Sequence, residues 1–448
     1  MRFDCRPVSN THDFERRHRC HTIKSSRPPP SPRPASASSA GRWLVALVAP
    51  GMAASQRLHD IGWALTLIVL GLNLRPILTS VSPLLNEIRE SSRLGFQGAA
   101  LLTSLPVLCM GLVALASASV EARLGEGRGI ALGLLCILLA CAVRGFTVDG
   151  GLLLGTALLA GIGVALIQVL APGLVKRRFA GRVALAMGVY SAALMGGGGL
   201  AAWFSPRLAS HFGHWQAGLL VWMLPALLAL ALWLNMPWRS AQPLAAGQSV
   251  QAFMGNRRAW LLALYFGFSN CGYMTLVAWL PAYYQQLGWS GRDGGSLLAL
   301  MTLFQVLAAL LMPALAQRTR ERRGLLSISL IAQLFGFGGL LLHPADSPLL
   351  WIALIGFGLG ACFALSLILS LDHLHDPRAA GQLAAFVQGF GFLINALAPA
   401  LGGWLRELTG GFQATWLLML ACLLAMLALT WRFSPASYWR ISSNGGPT

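Results

Sequence analysis

Past residue 60 the chain alternates long apolar runs with short polar segments almost to its end. Twelve such runs occur, at about 61–81, 97–117, 129–146, 151–172, 183–204, 216–234, 259–284, 294–316, 325–342, 348–371, 382–404 and 412–432. Each is close to the ~20 residues that carry an α-helix across the hydrocarbon core, and a helix satisfies its own backbone groups there. The pattern predicts an all-α membrane protein with twelve transmembrane helices. A chain that is 56% hydrophobic and 11% charged, with 50 glycines in 448 residues, fits no soluble domain.

Residues 1–55 read differently, being rich in Arg, Ser and Pro, with one apolar patch at 43–49 that is too short to span. Asp13, Glu15 and a proline run separate the early charges from that patch, which argues against a secretory signal. Two readings stand: a disordered basic tail, or sequence upstream of the true start with Met52 as initiator. Residues 56–234 are expected to form one six-helix bundle and 259–434 a second, with 435–448 as a cytoplasmic tail. Between the bundles, 235–258 has the PWRSAQPLAAGQS composition of a cytoplasmic linker. Three internal matches support a duplication. The R-x-x-E-x-R-G segment at Arg123, Glu126 and Arg128 recurs at Arg318, Glu321 and Arg323, and Ala180-Gly181 recurs at Ala380-Gly381. Gln216-Ala217 recurs at Gln413-Ala414, and all three offsets lie between 195 and 200 residues. Two parallel six-helix repeats around a midplane site are the major facilitator arrangement.

The net charge of +18 changes this picture little, because its distribution is topological. With the N-terminus in the cytoplasm, seventeen loop Lys and Arg fall on the inner side and six on the outer, namely Arg89, Arg93, Arg144, Arg207, Arg292 and Arg406. That split follows the positive-inside rule, sets both termini in the cytoplasm of an inner-membrane protein, and leaves no footprint for nucleic acid. The eight cysteines show no metal or disulfide spacing, and no cofactor is expected. Asp372, His373, His375 and Asp376 crowd one inner loop, an order that fits a helix end ahead of Pro377 as well as a ligand cluster.

Ionisable residues are almost absent from the spans, and Arg75 is the clear exception. A cation near a helix centre costs ~2.5–3.5 kcal/mol on insertion scales, so it calls for a reason. Pro76 follows at once and lacks the N–H that the Leu72 carbonyl would accept. Broken backbone at membrane depth lines protein or a wet cavity, which places Arg75 on the wall of a polar pathway. No Asp or Glu lies well inside a span to relay protons. A lone buried cation wants an anion, and a small anionic substrate would supply one; the alternative is an arginine that snorkels or bonds backbone carbonyls. Asn73, Gln168, Asn270, Tyr273, Gln305 and Gln388 are the uncharged candidates to share the substrate site, with Thr79, Ser82, Tyr190 and Asn395 behind them. Each also has interhelical hydrogen bonding as a reading. Pro76 and the two R-x-x-E-x-R-G segments are candidate conformational positions, the segments acting as charge latches or as plain positive-inside charge. The glycines at 196–199 lie mid-helix, where they permit close helix approach or a hinge.

Several stretches together resemble the CynX/NimT branch of the major facilitator superfamily: GLNLRPILTSVSPLL (71–85), KRRF (176–179), SAALMGGGGL (191–200), GYMTLVAWLPAYY (272–284), GSLLALMT (295–302), ALLMPALA (309–316) and LDH (371–373). The resemblance covers about 60–435; the tail before Met52 has no counterpart, and Asn395 stands where a smaller residue is expected. It implies a monomeric twelve-helix carrier, embedded in the lipid bilayer, for cyanate or a similar small solute. An efflux carrier for 2-nitroimidazole-like compounds is the second reading. A multi-span enzyme or receptor is the third, and an enzyme would need a nucleophile, carboxylate pair or metal cluster near the interface.

Overall fold

In the computed structural model the described residues are 54–179, 183–236, 250–316, 321–374 and 377–441, and every regular element among them is helical. The basic tail up to residue 53, most of the expected linker, Ala180-Gly181, Arg318, His375 and Asp376 lie outside the described residues. The predicted order of twelve holds: α1 Ala54–Leu72, α2 Phe96–Leu115, α3 Ser117–Arg144, α4 Gly150–Arg178, α5 Val183–Phe212, α6 in two pieces (Trp215–Leu220 and Met223–Leu234), α7 Arg257–Gln286, α8 Gly291–Ala316, α9 Arg323–Leu342, α10 Pro348–Leu371, α11 Pro377–Thr409 and α12 Gln413–Thr430. Eleven membrane-length apolar segments are found among the described residues. The remaining helix, α5, is 30 residues long, or about 45 Å at 1.5 Å per residue.

Two boundaries differ from the hydrophobic pattern for local reasons. After α1 the chain continues in short pieces, Pro76–Thr79, Ser82–Leu84 and Leu85–Ser92, because Pro76 and Pro83 each withhold an N–H. The expected loop after residue 85 is therefore partly helix. The expected loop between the second and third spans is helical on both sides of Gly125, where φ 65° and ψ 170° break the ladder in a region that glycine reaches without a Cβ clash.

Large apolar side chains such as Leu112, Leu224, Leu303, Phe335 and Leu424 are exposed, as expected of a surface that meets lipid rather than water. Inside, small residues let helices approach. α2 runs along α11 and α5 along α8, which joins the first six helices to the last six. A Cβ on Gly111 of α2 would lie 2.9 Å from the Gly389 carbonyl oxygen of α11. One end of the bundle is also tied across the two sets of six by polar contacts. Asn86 donates to Gln285, and the Gln285 amide donates to the Pro83 carbonyl at 3.1 Å. Gln97 Nε2 donates to Glu407 Oε2 at 2.8 Å, Arg207 Nη2 to Ser296 Oγ at 3.0 Å and Arg292 Nε to Ser210 Oγ at 2.9 Å.

Candidate functional site

The site is built around the break in α1. The N–H groups of Asn73 and Leu74 turn back to the Leu70 and Gly71 carbonyls at 3.3 and 3.1 Å, tightening the last turn, and the helix restarts at Pro76 with Arg75 as its N-cap residue. Neighbouring helices hold the break from several sides. Asn73 Nδ2 donates to the Val69 carbonyl at 2.7 Å and to the Pro225 carbonyl of α6 at 3.0 Å. The Thr79 hydroxyl donates to the Gly198 carbonyl of α5 at 2.8 Å. From the end of α3, Arg144 donates through Nη1 to the Ile77 carbonyl at 2.9 Å and through Nε to Thr156 Oγ1 of α4 at 3.0 Å. Gly197 of α5 lies directly against the break: a Cβ there would be 2.8 Å from the Leu72 carbonyl carbon and nearer still to its oxygen.

Held this way, Arg75 lines a cavity of about 30 Å³ between the two sets of six helices. Its polar lining is Arg75, Asn270 and Tyr273 of α7, Gln305 of α8 and Asn395 of α11; its apolar lining is Val107 and Met110 of α2, Met195 of α5, Met274 of α7, Phe363 of α10 and Phe392 of α11. Arg75 is 8% exposed. Its guanidinium carbon stands 5.0 Å from the Tyr273 ring centroid, and among the described residues neither a carbonyl nor a carboxylate takes its N–H groups. Asn270 Nδ2 donates to the Phe266 carbonyl at 2.8 Å. The Asn395 Oδ1 is buried without a hydrogen-bond partner among the described residues. The Tyr190 hydroxyl is likewise buried without one, within electrostatic reach of Arg75.

Four predicted residues, Arg75, Asn270, Tyr273 and Gln305, thus come together, and Asn395 joins them. Asn73 sits at the break, where its side chain holds backbone instead of lining the cavity. Gln168 of α4, with a buried Oε1 lacking a partner among the described residues, and Gln388 of α11 are not among the lining residues. Ser82 Oγ points at the Ala278 carbonyl of α7, 3.5 Å away. Arg144, expected in an outer loop, is 1% exposed inside the bundle. The clue was its place within the predicted run 129–146. The three methionines of the cavity had no such clue, since sequence alone does not separate them from other apolar positions of a span.

The two R-x-x-E-x-R-G segments make different contacts. Glu126 forms an ion pair with Arg177 of α4, the carboxylate side chain being 9% exposed. Glu321 pairs with Arg323 only two residues away, at 2.8 Å, while the intervening Arg322 reaches Asp372 beyond α10, also at 2.8 Å. Hydrogen bonds from Arg323 hold the Glu321 carboxyl below the ordinary carboxylate range. Arg123 and Arg128 are exposed. His373, in the expected acidic and histidine cluster, is committed elsewhere. Its Nε2 accepts from Arg258 Nε at 3.1 Å, its Nδ1 faces the Leu369 carbonyl at 2.7 Å, and its ring stacks on Tyr438 with centroids 4.2 Å apart. Burial pushes its pKa down to about 4, so near neutrality the ring is uncharged, with its proton on Nδ1.

The sequence pattern of the Major Facilitator Superfamily matches residues 35–399. The cyanate transport protein CynX of Escherichia coli (strain K12) is 45% identical over 375 residues, which cover 84% of this chain and 97% of that protein. The 2-nitroimidazole transporter of the same organism is 32% identical over 351 residues, 78% of this chain and 88% of its own length. Among solved structures, a D-xylose-proton symporter superposes with a TM-score of 0.70 at 16% identity, covering 84% of this chain and 98% of that one.

Proposed function

The chain belongs to the major facilitator superfamily and is a multi-pass membrane transporter, not an enzyme, and from that premise we propose that it carries cyanate, bound as the anion at Arg75, by alternating access. The observation that carries this reading is the guanidinium, which no carboxylate or carbonyl pairs among the described residues. A cation withdrawn from water keeps a penalty of several kcal/mol unless paired, and here its donors line a cavity with no carboxylate on its wall. About 10–15 Å³ of such space admits one water, so a cavity of about 30 Å³ suits two or three water-sized groups, the bulk of a triatomic anion. The similarity to the cyanate transport protein supports the same cargo.

The two bundles at 56–234 and 259–434 are the bodies that rock, with Asn270, Gln305 and Asn395 closing on the anion from the second. Gln168 and Gln388 contact the solute at other stages of its passage, and Asn73 and Pro76 keep the α1 break in shape. The chain works as a monomer in the inner membrane with both termini cytoplasmic. In that orientation the end tied by Gln97 and Glu407 faces outward, and Glu126–Arg177 and Arg322–Asp372 are inner latches. Export of 2-nitroimidazole-like solutes is the second reading, favoured by the similarity to that transporter and by the rings of Tyr273, Phe363 and Phe392; the small cavity weighs against a heterocycle in this state.

Flux of labelled cyanate into proteoliposomes, with and without an imposed pH gradient, tests the proposal. Arg75→Ala should abolish flux while the protein remains folded, and Arg75→Lys should retain little, because an ammonium does not reproduce the planar fork. Wild-type flux through the alanine variant would sink the anion site.

A further inference from the structure

We propose that the cavity at Arg75 selects a chemical class, the weakly hydrated linear monoanions, so that thiocyanate and azide compete with cyanate while formate and bicarbonate, of comparable size but firmly hydrated, do not. The inference rests on the anion reading above and adds what the rest of the wall does. The lining holds one cation and no second charged residue, so it compensates one negative charge. Donors are available at restricted places. Arg75 offers its fork, Asn270 Nδ2 gives one of its two N–H groups to the Phe266 carbonyl and keeps the other, and Gln305, Asn395 and Tyr273 complete the polar lining. The Asn395 amide oxygen has no partner among the described residues, and rotation of that amide exchanges it for an NH₂ that donates.

Between these polar positions the wall is Met110, Met195, Met274, Phe363 and Phe392. Thioethers and phenyl rings supply polarisable surface but no donor. An anion here exchanges its hydration shell for donors at a few points and soft contacts over the rest of its surface. A linear triatomic anion, with charge concentrated at its ends and a polarisable middle, loses little in that exchange. Formate and bicarbonate need donors around two oxygens, and oxygens turned to methionine would be left desolvated and unpaired. Nitrate separates shape from hydration: it is weakly hydrated but trigonal, and one of its oxygens must face the apolar wall.

The test is inhibition of labelled cyanate uptake into proteoliposomes at constant ionic strength by unlabelled cyanate, thiocyanate, azide, nitrate, formate and bicarbonate. Thiocyanate and azide should inhibit within about threefold of cyanate. Formate and bicarbonate should be weaker by at least about tenfold, the equivalent of 1.4 kcal/mol, with nitrate between. Met274→Gln, which adds a donor to the wall, should narrow the gap between formate and thiocyanate. Formate inhibiting as well as thiocyanate, with cyanate flux still dependent on Arg75, would overturn the selectivity and leave the anion site standing. If cyanate flux is absent, the melting temperature decides: stabilisation by thiocyanate relative to formate in the wild type but not in Arg75→Ala upholds the class and removes cyanate as cargo, and no such difference overturns both.

Discussion

Substituting Gly197 with alanine tests whether α5 sets the position of Arg75. The added Cβ would stand 2.8 Å from the carbonyl carbon and 2.9 Å from the Cα of Leu72, where carbon atoms prefer ~3.5–4.0 Å. Both neighbours are backbone, so no side chain can rotate away, and one helix must move by about 1 Å. Overpacking of this kind costs ~1–3 kcal/mol, of which the better helix propensity of alanine returns ~1 kcal/mol. Stability should therefore fall only modestly. Function should fall further, because Leu72 is three residues before Arg75 and a 1 Å misplacement in a positioned site can cost on the order of 10²-fold. The control lies one residue away: a Cβ on Gly196 meets nothing within 4 Å, so Gly196→Ala should keep wild-type flux and melt slightly higher. The assay is initial cyanate uptake normalised to folded protein, with melting temperatures in detergent. Equal uptake by the two alanine variants would refute the idea that α5 holds the break.

Arg144→Met removes the donors to the Ile77 carbonyl and Thr156. Two hydrogen bonds from a charged donor, ~1.5–3 kcal/mol each, are set against several kcal/mol regained by no longer burying a cation, so melting should change little while uptake drops; unchanged uptake would make Arg144 dispensable for the break. His373 gives a pH dependence with a definite sign. Above pH 6.5 it is neutral folded or unfolded; from 6.5 down to about 4 only the unfolded chain takes the proton, so stability falls as pH falls, by at most about 3 kcal/mol. Below that both states are protonated and the loss levels off. His373→Gln should flatten this part of the melting-temperature profile, and an unchanged slope would assign it to other groups. Joining positions 97 and 407, through Gln97→Cys and Glu407→Cys in a background without the native cysteines, should lock the tied end and stop uptake until reductant is added; uptake indifferent to the crosslink would mean that this end need not open.

Much of the fold was legible because bilayer physics imposes one length and one composition on every span, and the helices fall in the predicted order. What escaped was local. Leu85–Ser92 was read as loop because charges dominate it, yet it continues the first span as helix after Pro83. Arg75 was legible since a charge beside proline in an apolar run has few explanations. Asn270, Tyr273 and Gln305 followed as uncharged polar residues within apolar spans. Gln168 and Gln388 met the same criterion without reaching the cavity, because polarity in a span marks any interhelical contact and not its direction. Arg144 was counted with the outer loops, although depth in the bundle depends on tilt and packing that a hydropathy run does not encode.

The two buried arginines beside the α1 break show what separates a structural cation from one available to a solute. Arg144 is fixed by a carbonyl at Nη1 and a hydroxyl at Nε, its Nη2 is buried without a partner among the described residues, and it is not among the residues that line the cavity. Among the described residues Arg75 has the face of Tyr273 at 5.0 Å, a contact worth ~0.5–2 kcal/mol, and no hydrogen-bond acceptor, and so keeps its hydrogen-bonding capacity. The last six helices answer it with amides and a ring rather than a second charge, which leaves the field in the cavity one-sided. Under the proposed anion site, an entering monoanion would displace a weak cation–π contact with a charge-assisted pair, and on leaving would return Arg75 to Tyr273. In that proposal the ring gives the guanidinium a contact between cargoes, at an energy small enough not to compete with the anion.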